Sequence, residues 1–376
     1  MPLSAFEPDR YEALLAGKVE AVRALLAPFA PPVPAVFRSR PEGFRMRAEF
    51  RLWHEGEALN YVMFRRDDPK TPIPIPAFPI ACDAIQALMP TLRERLRSSA
   101  VLRRKLFQVE FLSTLAGDTL VTLVYHRRLE EDWLAAATAL AGELDIAVVG
   151  RSRKQKVVLS RDYVTETLPV AGRDYHYRQY DQAFTQPNAG VNIHMLEWAV
   201  ESVGEGVKEA AVDSPAGLDG DLLELYCGNG NFTLPLSRCF RQVIATELAK
   251  TSVRAARWNL EHNNIDNVQL IRLSAEEVTQ AMNGEREFRR LAELSQQLAD
   301  YDLRTVFVDP PRAGLDASTE QMVTRFDNIL YISCNPQTLA ANLTHINQSH
   351  RVTRFALFDQ FPYTDHKECG GLLQRL

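Results

Sequence analysis

Between Phe44 and Phe64 apolar and charged residues alternate: FRMRAEFRLW, a Glu-Gly-Glu turn, then ALNYVMF. A period of two is that of strands buried on one face. Arg45, Arg47 and Arg51 share the polar face. KLFQVEFLSTL and TLVTLVYHRR, joined at Gly117-Asp118, predict a hairpin, and GRSRKQKVVLS a further strand. Helical spacing predicts helices at residues 9–29, ahead of a proline-rich connector, at about Cys82–Arg97 and at about Glu131–Leu144. Residues 171–188 are polar and aromatic without a clear period and read as a crossing between domains. Beyond them VNIHMLEWAVESV predicts a helix and Gly204–Asp221 a loop. The rhythm then changes. DLLELYCGNG, QVIATE, VQLIRL, VFVDPP and ILYISCNP are short apolar runs of buried-strand length. NFTLPLSRCF, a helix from about Ala249 to Asn263 and a polar helical region reaching about Asp300 fall between them. Strands alternating with helices predict a parallel sheet covered on both faces. The expectation is an α+β domain with an antiparallel sheet at 1–180 and a Rossmann-like α/β domain at 181–376.

Charge supports two domains with different work. The net charge of −5 is made of +4 over residues 1–180 and −9 over residues 181–376. The basic residues of the first part include Arg93, Arg95, Arg97, Arg103, Arg104, Lys105, Arg127, Arg128, Arg151, Arg153, Lys154 and Lys156, interleaved with Phe107, Tyr125 and His126. Sheet faces of that kind suit phosphates and unstacked bases. Phe107 and Arg51 are the candidates for contacts to an RNA loop. The five cysteines are scattered, with no CxxC and no metal-ligand spacing, which speaks against a zinc or iron–sulfur site and fits a reducing cytoplasm. No apolar run reaches membrane length, and the first residues lack the basic-then-apolar layout of a secretion signal.

Chemistry gathers where strands stop. In LLELYCGNGNF a buried strand runs into Gly228 and Gly230, whose backbone N–H groups are expected to approach a ligand. Thr233 replaces the third glycine of the dinucleotide fingerprint, which removes support for a pyrophosphate. Glu247 ends the next strand, about 20 residues on, where an acid accepts two ribose hydroxyls in NAD-binding and S-adenosylmethionine-binding folds alike. Asp309 ends the fourth strand and suits the adenine edge or amino acid end of S-adenosylmethionine. Cys334 also ends a strand, before Asn335-Pro336 and a helix whose N-terminus is expected to stabilise a thiolate. A thiolate adding to C6 of a pyrimidine makes C5 nucleophilic toward a methyl donor, after which a base must remove the C5 proton. Glu368 is the candidate base, with Asp365, His366 and Cys369 as neighbours able to compete.

QPN at Gln186–Asn188, LYCGNGNF, VDPPRAGL, YISCNP and DQFPYTDHKECG, in this order, resemble the tRNA (uracil-5-)-methyltransferase family, and the likeness extends through FRMRAEFRLWH and LPVAGRDYHYRQ. The resemblance implies a class I S-adenosylmethionine methyltransferase domain behind an N-terminal RNA-binding domain. It also implies S-adenosylmethionine as donor and the T-loop uridine at position 54 of tRNA as target; the same chemistry on the T-like loop of tmRNA stands beside it as a rival or additional reading. Gln186, Tyr226, Asn231, Glu247 and Asp309 match the family's cofactor positions, Cys334 its nucleophile and Glu368 its base. Related enzymes of 23S rRNA often carry a further β-barrel and a cysteine cluster, and tend to have Thr-Val where this chain has Cys369-Gly370. Methylation of 23S rRNA, amino-N methylation without a cysteine, and an RNA-folding module are the alternatives; Arg312 after the prolines counts against amino-N methylation.

Overall fold

The unit in which the chain ends also takes in residues 10–39. The computed structural model describes residues 6–65, 67–204, 218 and 220–376. Its chain falls into a first unit of Arg40–Thr167 and Arg178–Ala189, with the residues up to Asp9, and a second of Arg10–Ser39, Leu168–Tyr177 and Gly190–Leu376. Helix α1 (Tyr11–Leu26) and strand β1 (Ala35–Phe37) therefore belong to the second unit. Two interactions explain this departure from a single boundary at 180. Ala35 to Phe37 pair in parallel with Ala356 to Phe358, and the buried Lys18 Nζ donates to Asp359 Oδ1 at 2.7 Å and to the Phe361 carbonyl at 2.8 Å.

In the first unit β2 (Arg47–Glu55), β3 (Ala58–Met63) and β4 (Ile73–Pro74) precede α2 (Asp83–Ser98), α3 (Ala100–Arg103), β5 (Leu106–Ser113), β6 (Thr119–Tyr125), α4 (Glu131–Leu144), β7 (Ala147–Ser152) and β8 (Gln155–Val158). They form a sheet in the order β4-β3-β2-β5-β6-β7-β8. Its neighbours are antiparallel except β6 and β7, which α4 joins as a parallel crossover. The alternation in β2 buries Ala48, Phe50 and Leu52 and leaves Glu49 and Arg51 exposed. GRSRKQKVVLS is two strands rather than one. The chain reverses at Arg153-Lys154, where Lys154 takes a left-handed φ of 60°. Gly150 lets α4 approach the sheet: a Cβ there would lie 2.3 Å from the Trp133 ring.

Residues 171–188 also differ from expectation. Strands β9 (Tyr163–Val170) and β10 (Arg173–Tyr180) pair as a ribbon, within which the chain passes from one unit to the other. Tyr175 and Tyr177 are buried on alternate positions of β10, a strand period hidden by polar residues between them.

The second unit continues with α5 (Ala189–Val203), β11 (Asp221–Leu225), α6 (Thr233–Leu236), β12 (Val243–Thr246), α7 (Lys250–His262), β13 (Val268–Ile271), α8 (Ala275–Met282), β14 (Leu303–Val308), α9 (Ala317–Val323), β15 (Asn328–Ser333), α10 (Pro336–Ile346), β16 (His350–Phe358) and β17 (Glu368–Arg375). Its sheet has the order β1-β16-β17-β15-β14-β11-β12-β13, parallel except for β17, which is antiparallel to β15 and β16. Every residue of β11, β12 and β15 is buried, as strands covered on both faces must be. The order reverses at β11, so a crevice is expected beyond the carboxyl ends of β11 and its neighbours. This is the expected Rossmann-like class. The polar region before Asp300 holds only α8 and two 3-10 turns, Arg289–Glu293 and Leu298–Asp300. Most of the loop expected at Gly204–Asp221 lies outside the described residues. No described helix is long and apolar enough to cross a membrane.

Candidate active site

Strand β11 delivers the glycine turn. Tyr226 leaves it with a left-handed φ of 61°, and Gly228 and Gly230 follow at 59° and 83°. A non-glycine residue held there is a sparsely populated state, maintained only by its surroundings. The two glycines have different reasons. A Cβ on Gly230 would stand 2.9 Å from Leu234, so that glycine admits the helix behind it. Nothing lies within 4 Å of a Cβ on Gly228, which faces open space. The expectation that their amides point at a ligand is corrected. Gly228 N–H donates to Glu247 Oε2 at 3.0 Å and Gly230 N–H to the Cys227 carbonyl at 2.8 Å. Glu247, at the end of β12, also accepts from Ala249 N–H at 2.6 Å. Its carboxylate is thus aimed by backbone amides, with lone pairs left on both oxygens.

Asn231 ends the turn. Its side-chain amide exchanges two 2.9 Å hydrogen bonds with that of Asn192 on α5, and its carbonyl accepts from the Tyr177 hydroxyl at 3.1 Å. Sequence reasoning missed Asn192 and Tyr177: VNIHMLEWAVESV was read for its apolar spacing alone, and no local pattern names Asn231 as the partner of Asn192.

Strands β14 and β15 stop side by side. The Asn335 side-chain amide donates to the Arg312 carbonyl at 3.0 Å, tying the turn after Cys334 to the turn after Asp309. Asn335 also caps α10, accepting from Gln337 N–H. The last pair of β15 and β17 is Ser333 with Cys369, so one further step of the antiparallel register sets Cys334 against Glu368. Glu368 and Cys369 are buried. Asp365 is exposed and His366 leans on Phe361, ring centroids 5.4 Å apart, so Glu368 is the acid the register brings to the thiol.

The ionisation of this cluster is not what the local sequence implied. Burial, then Glu368 and Asp309, push the Cys334 thiol up to about 11. Burial holds Asp309 at about 7, and burial with Asp309 beside it raises Glu368 well above the carboxylate range. A helix N-terminus is worth about 0.3–1 kcal/mol to an anion. Two pH units correspond to roughly 3 kcal/mol, so desolvation and two carboxyls outweigh α10. The resting thiol is protonated. Glu224, inside β11, belongs to the same acidic group. It is fully buried, its oxygens meet no donor in hydrogen-bonding geometry, and burial raises it to about 8. An acid within the apolar run DLLEL was a signal the sequence offered and the reading above did not take.

A rim carrying Glu247, Asp309 and Glu368, with Glu224 buried in β11 behind them, disfavours a pyrophosphate and suits a cation. A positive ligand placed among these groups would lower all their pKa values, and that of Cys334 with them. The structure thus brings Tyr226, Asn231, Glu247, Asp309, Cys334 and Glu368 to one end of one sheet. Gln186 belongs to the first unit, where Pro187 and Asn188 are tied to Met46 and Arg45. No group of three metal-ligating side chains occurs among the described residues.

On the first unit, Arg51 lies over the Phe107 ring at 5.0 Å and the Phe64 ring at 5.3 Å, and Phe107 stacks on His126 with centroids 4.2 Å apart. Register explains the cluster: Arg51 on β2 is opposite Gln108, next to Phe107 on β5.

Comparison with known proteins gives a consistent result. A profile of the family described as tRNA (Uracil-5-)-methyltransferase matches residues 10–376. The tRNA/tmRNA (uracil-C(5))-methyltransferase of Ectopseudomonas mendocina is 56% identical over 375 residues, covering 100% of both chains. That of Aromatoleum aromaticum is 52% identical, covering 100% of this chain and 98% of its own. The crystal structure of Pyrococcus abyssi tRNA (uracil-54, C5)-methyltransferase in complex with S-adenosyl-L-homocysteine has a TM-score of 0.70 at 20% identity, over 96% of this chain and 83% of that one. At that identity the likeness is one of fold.

Proposed function

The chain belongs to the tRNA (uracil-5-)-methyltransferase family, and we propose that it methylates C5 of the T-loop uridine at position 54 of tRNA through a covalent bond from Cys334 to C6. It is an S-adenosylmethionine-dependent enzyme, and the T-like loop of tmRNA is a second substrate. The observation that carries this reading is the register that sets Cys334 against Glu368 beside Asp309. Arg51 and Phe107, with His126, are proposed to receive bases of the opened loop, and the cytoplasm is where such a substrate is met.

The residues present fit S-adenosylmethionine, since an acidic rim with open space above Gly228 accepts a cation and a ribose. Glu247 would take the ribose hydroxyls, and Tyr226, Asn231 and Asp309 the remainder. Bound there, the cofactor supplies a methyl group on a positive sulfonium.

Cys334 reacts as its thiolate, its proton released to solvent. The sulfur forms a bond to C6, and the C5=C6 electron pair moves to C5 and the neighbouring carbonyl oxygen. C5 then takes the methyl group. Glu368, ionised, removes the C5 proton, the pair returns to C5=C6 and the C6–S bond breaks. A uridine inside a folded loop must be extruded first, at a cost of a few kcal/mol, which phosphate and base contacts to arginines, lysines and aromatic rings of the first unit would offset.

The test uses tRNA containing 5-fluorouridine. Fluorine cannot leave C5 as a proton does, so a covalent complex should persist and be seen by mass spectrometry on the Cys334 peptide. No adduct, or full activity of Cys334→Ala, excludes the covalent route. Methylation of a 23S rRNA hairpin alone, without tRNA, overturns the substrate.

A further inference from the structure

We infer that a cavity of the first unit, between the end of β6 and the β7–β8 turn, holds the phosphodiester backbone of the RNA through Arg128, Arg153 and Lys154. The inference rests on RNA being the substrate and adds a second contact to the Arg51–Phe107–His126 cluster.

The cavity has a volume of about 940 Å³ and is walled by residues 124–128 and 151–155. Five of those ten residues are Arg or Lys and none is acidic. Two of the five hold the fold. Arg127 donates to the carbonyls of Arg104, Val101 and Arg128, and Arg151 pairs with the buried Asp181. Arg128, Arg153 and Lys154 are exposed, and their side chains make no hydrogen bond or ion pair among the described residues. Like charges gathered on one concave wall repel, and the wall focuses their field on whatever anion enters. No packing need explains three of them there. Lys154 even occupies a left-handed turn position, where glycine or asparagine would be easier.

RNA fits better than a lone small anion because the cavity is continuous with a base-stacking surface. His126 lines it and also stacks on Phe107, over which Arg51 lies. Bases on the aromatic rings and phosphates in the neighbouring cavity are how one strand is held without reading its sequence.

Neutralising the three residues together in the full chain (R128Q, R153Q, K154Q) tests this by tRNA binding across a salt series. Each phosphate contact contributes about 0.7 to 0.9 to the slope of log affinity against log salt. The slope should fall by about two to three, with KM for tRNA rising about tenfold or more, while kcat and affinity for S-adenosylmethionine stay unchanged. Unchanged affinity and slope overturn the inference and leave the methylation reading intact. A control triple of exposed arginines in the second unit (R257Q, R286Q, R351Q) should leave the slope as it is; an equal fall there also overturns it, since the effect would be one of general charge. A wild-type protein that neither binds nor methylates tRNA sinks the underlying reading instead, and unchanged cofactor affinity certifies that the variants are folded.

Discussion

Asn192 and Asn231 hold each other, each side-chain amide donating to the other's oxygen at 2.9 Å, with Asn192 buried. Neither can rotate without breaking both bonds, so Asn192 fixes the orientation of the Asn231 side chain, a proposed cofactor contact. Asn192→Ala should weaken S-adenosylmethionine binding about fivefold, since one buried hydrogen bond is worth about 1 kcal/mol. The rate at saturating cofactor should hold. Calorimetric titration checks this; unchanged affinity would detach Asn231 from the cofactor site.

On the proposed covalent route the Cys334 thiol, pushed up to about 11 by burial and then by Glu368 and Asp309, should set the pH dependence of the free enzyme. Below that value the thiolate fraction rises tenfold per pH unit. kcat/KM for tRNA should therefore climb from pH 6 to pH 9, as far as the fold tolerates. In the ternary complex a cation lowers the same group, so the kcat profile should lie to the acid side of the kcat/KM profile. Profiles that coincide would show that the ligand leaves the thiol untouched.

Removing the base should stop the reaction after methyl transfer. With Glu368→Gln, ordinary tRNA is expected to accumulate as a covalent complex whose mass includes the added methyl group, because C5 still carries its proton and the C6–S bond cannot break. Free methylated tRNA released at the wild-type rate would assign the proton to another group.

Glu224 links stability to pH. Its carboxyl is raised from 4.5 to about 8 by burial, so the folded state holds a proton that the unfolded chain releases above 4.5. The stability from that group is present below 4.5 and is lost as pH rises through 8. Over pH 4.5 to 7 the loss amounts to roughly 3 kcal/mol. Glu224→Gln should therefore raise the melting temperature at pH 8 and leave it nearly unchanged at pH 4.5. An equal shift at both pH values would mean that ionisation is not the cause.

Gly370 is a matter of space. A Cβ there would come within 2.6 Å of the Trp198 ring and 3.0 Å of Phe358. Gly370→Val should cost about 1–3 kcal/mol or more by overpacking. Trp198→Leu in the same chain should recover part of that, which paired denaturant titrations would measure. The Cys-Gly that departs from Thr-Val thus has a reason in the helix packed over it.

Much of the second unit was legible because parallel strands buried on both faces are continuous apolar runs, and each of VFVDPP and ILYISCNP announces its own end with a proline. β1 was not legible. Ala35–Phe37 is three residues long in a proline-rich stretch, and only its partner 321 positions later makes it a strand. β10 was hidden for the opposite reason: its period is present, but arginine, histidine and glutamine separate the buried tyrosines. The site residues at strand ends could be named from position alone. Their ionisation could not, because the state of Cys334 depends on Glu368, 34 residues on, and on burial that no local pattern states. Asn192 shows the same limit.

The ion pair of Lys18 with Asp359 and the pairing of β1 with β16 carry a consequence for synthesis. A ribosome finishes Lys18 and Val36 long before it has made the residues that receive them. Until then the emerging helix must keep a cation in water and a bare strand edge unpaired, while the first unit, whose two main segments lie between residues 40 and 189, is already complete enough to close. β1 can pair only after β16 has left the exit tunnel, so residues 10–39, made early, are among the last to be fixed in their own unit.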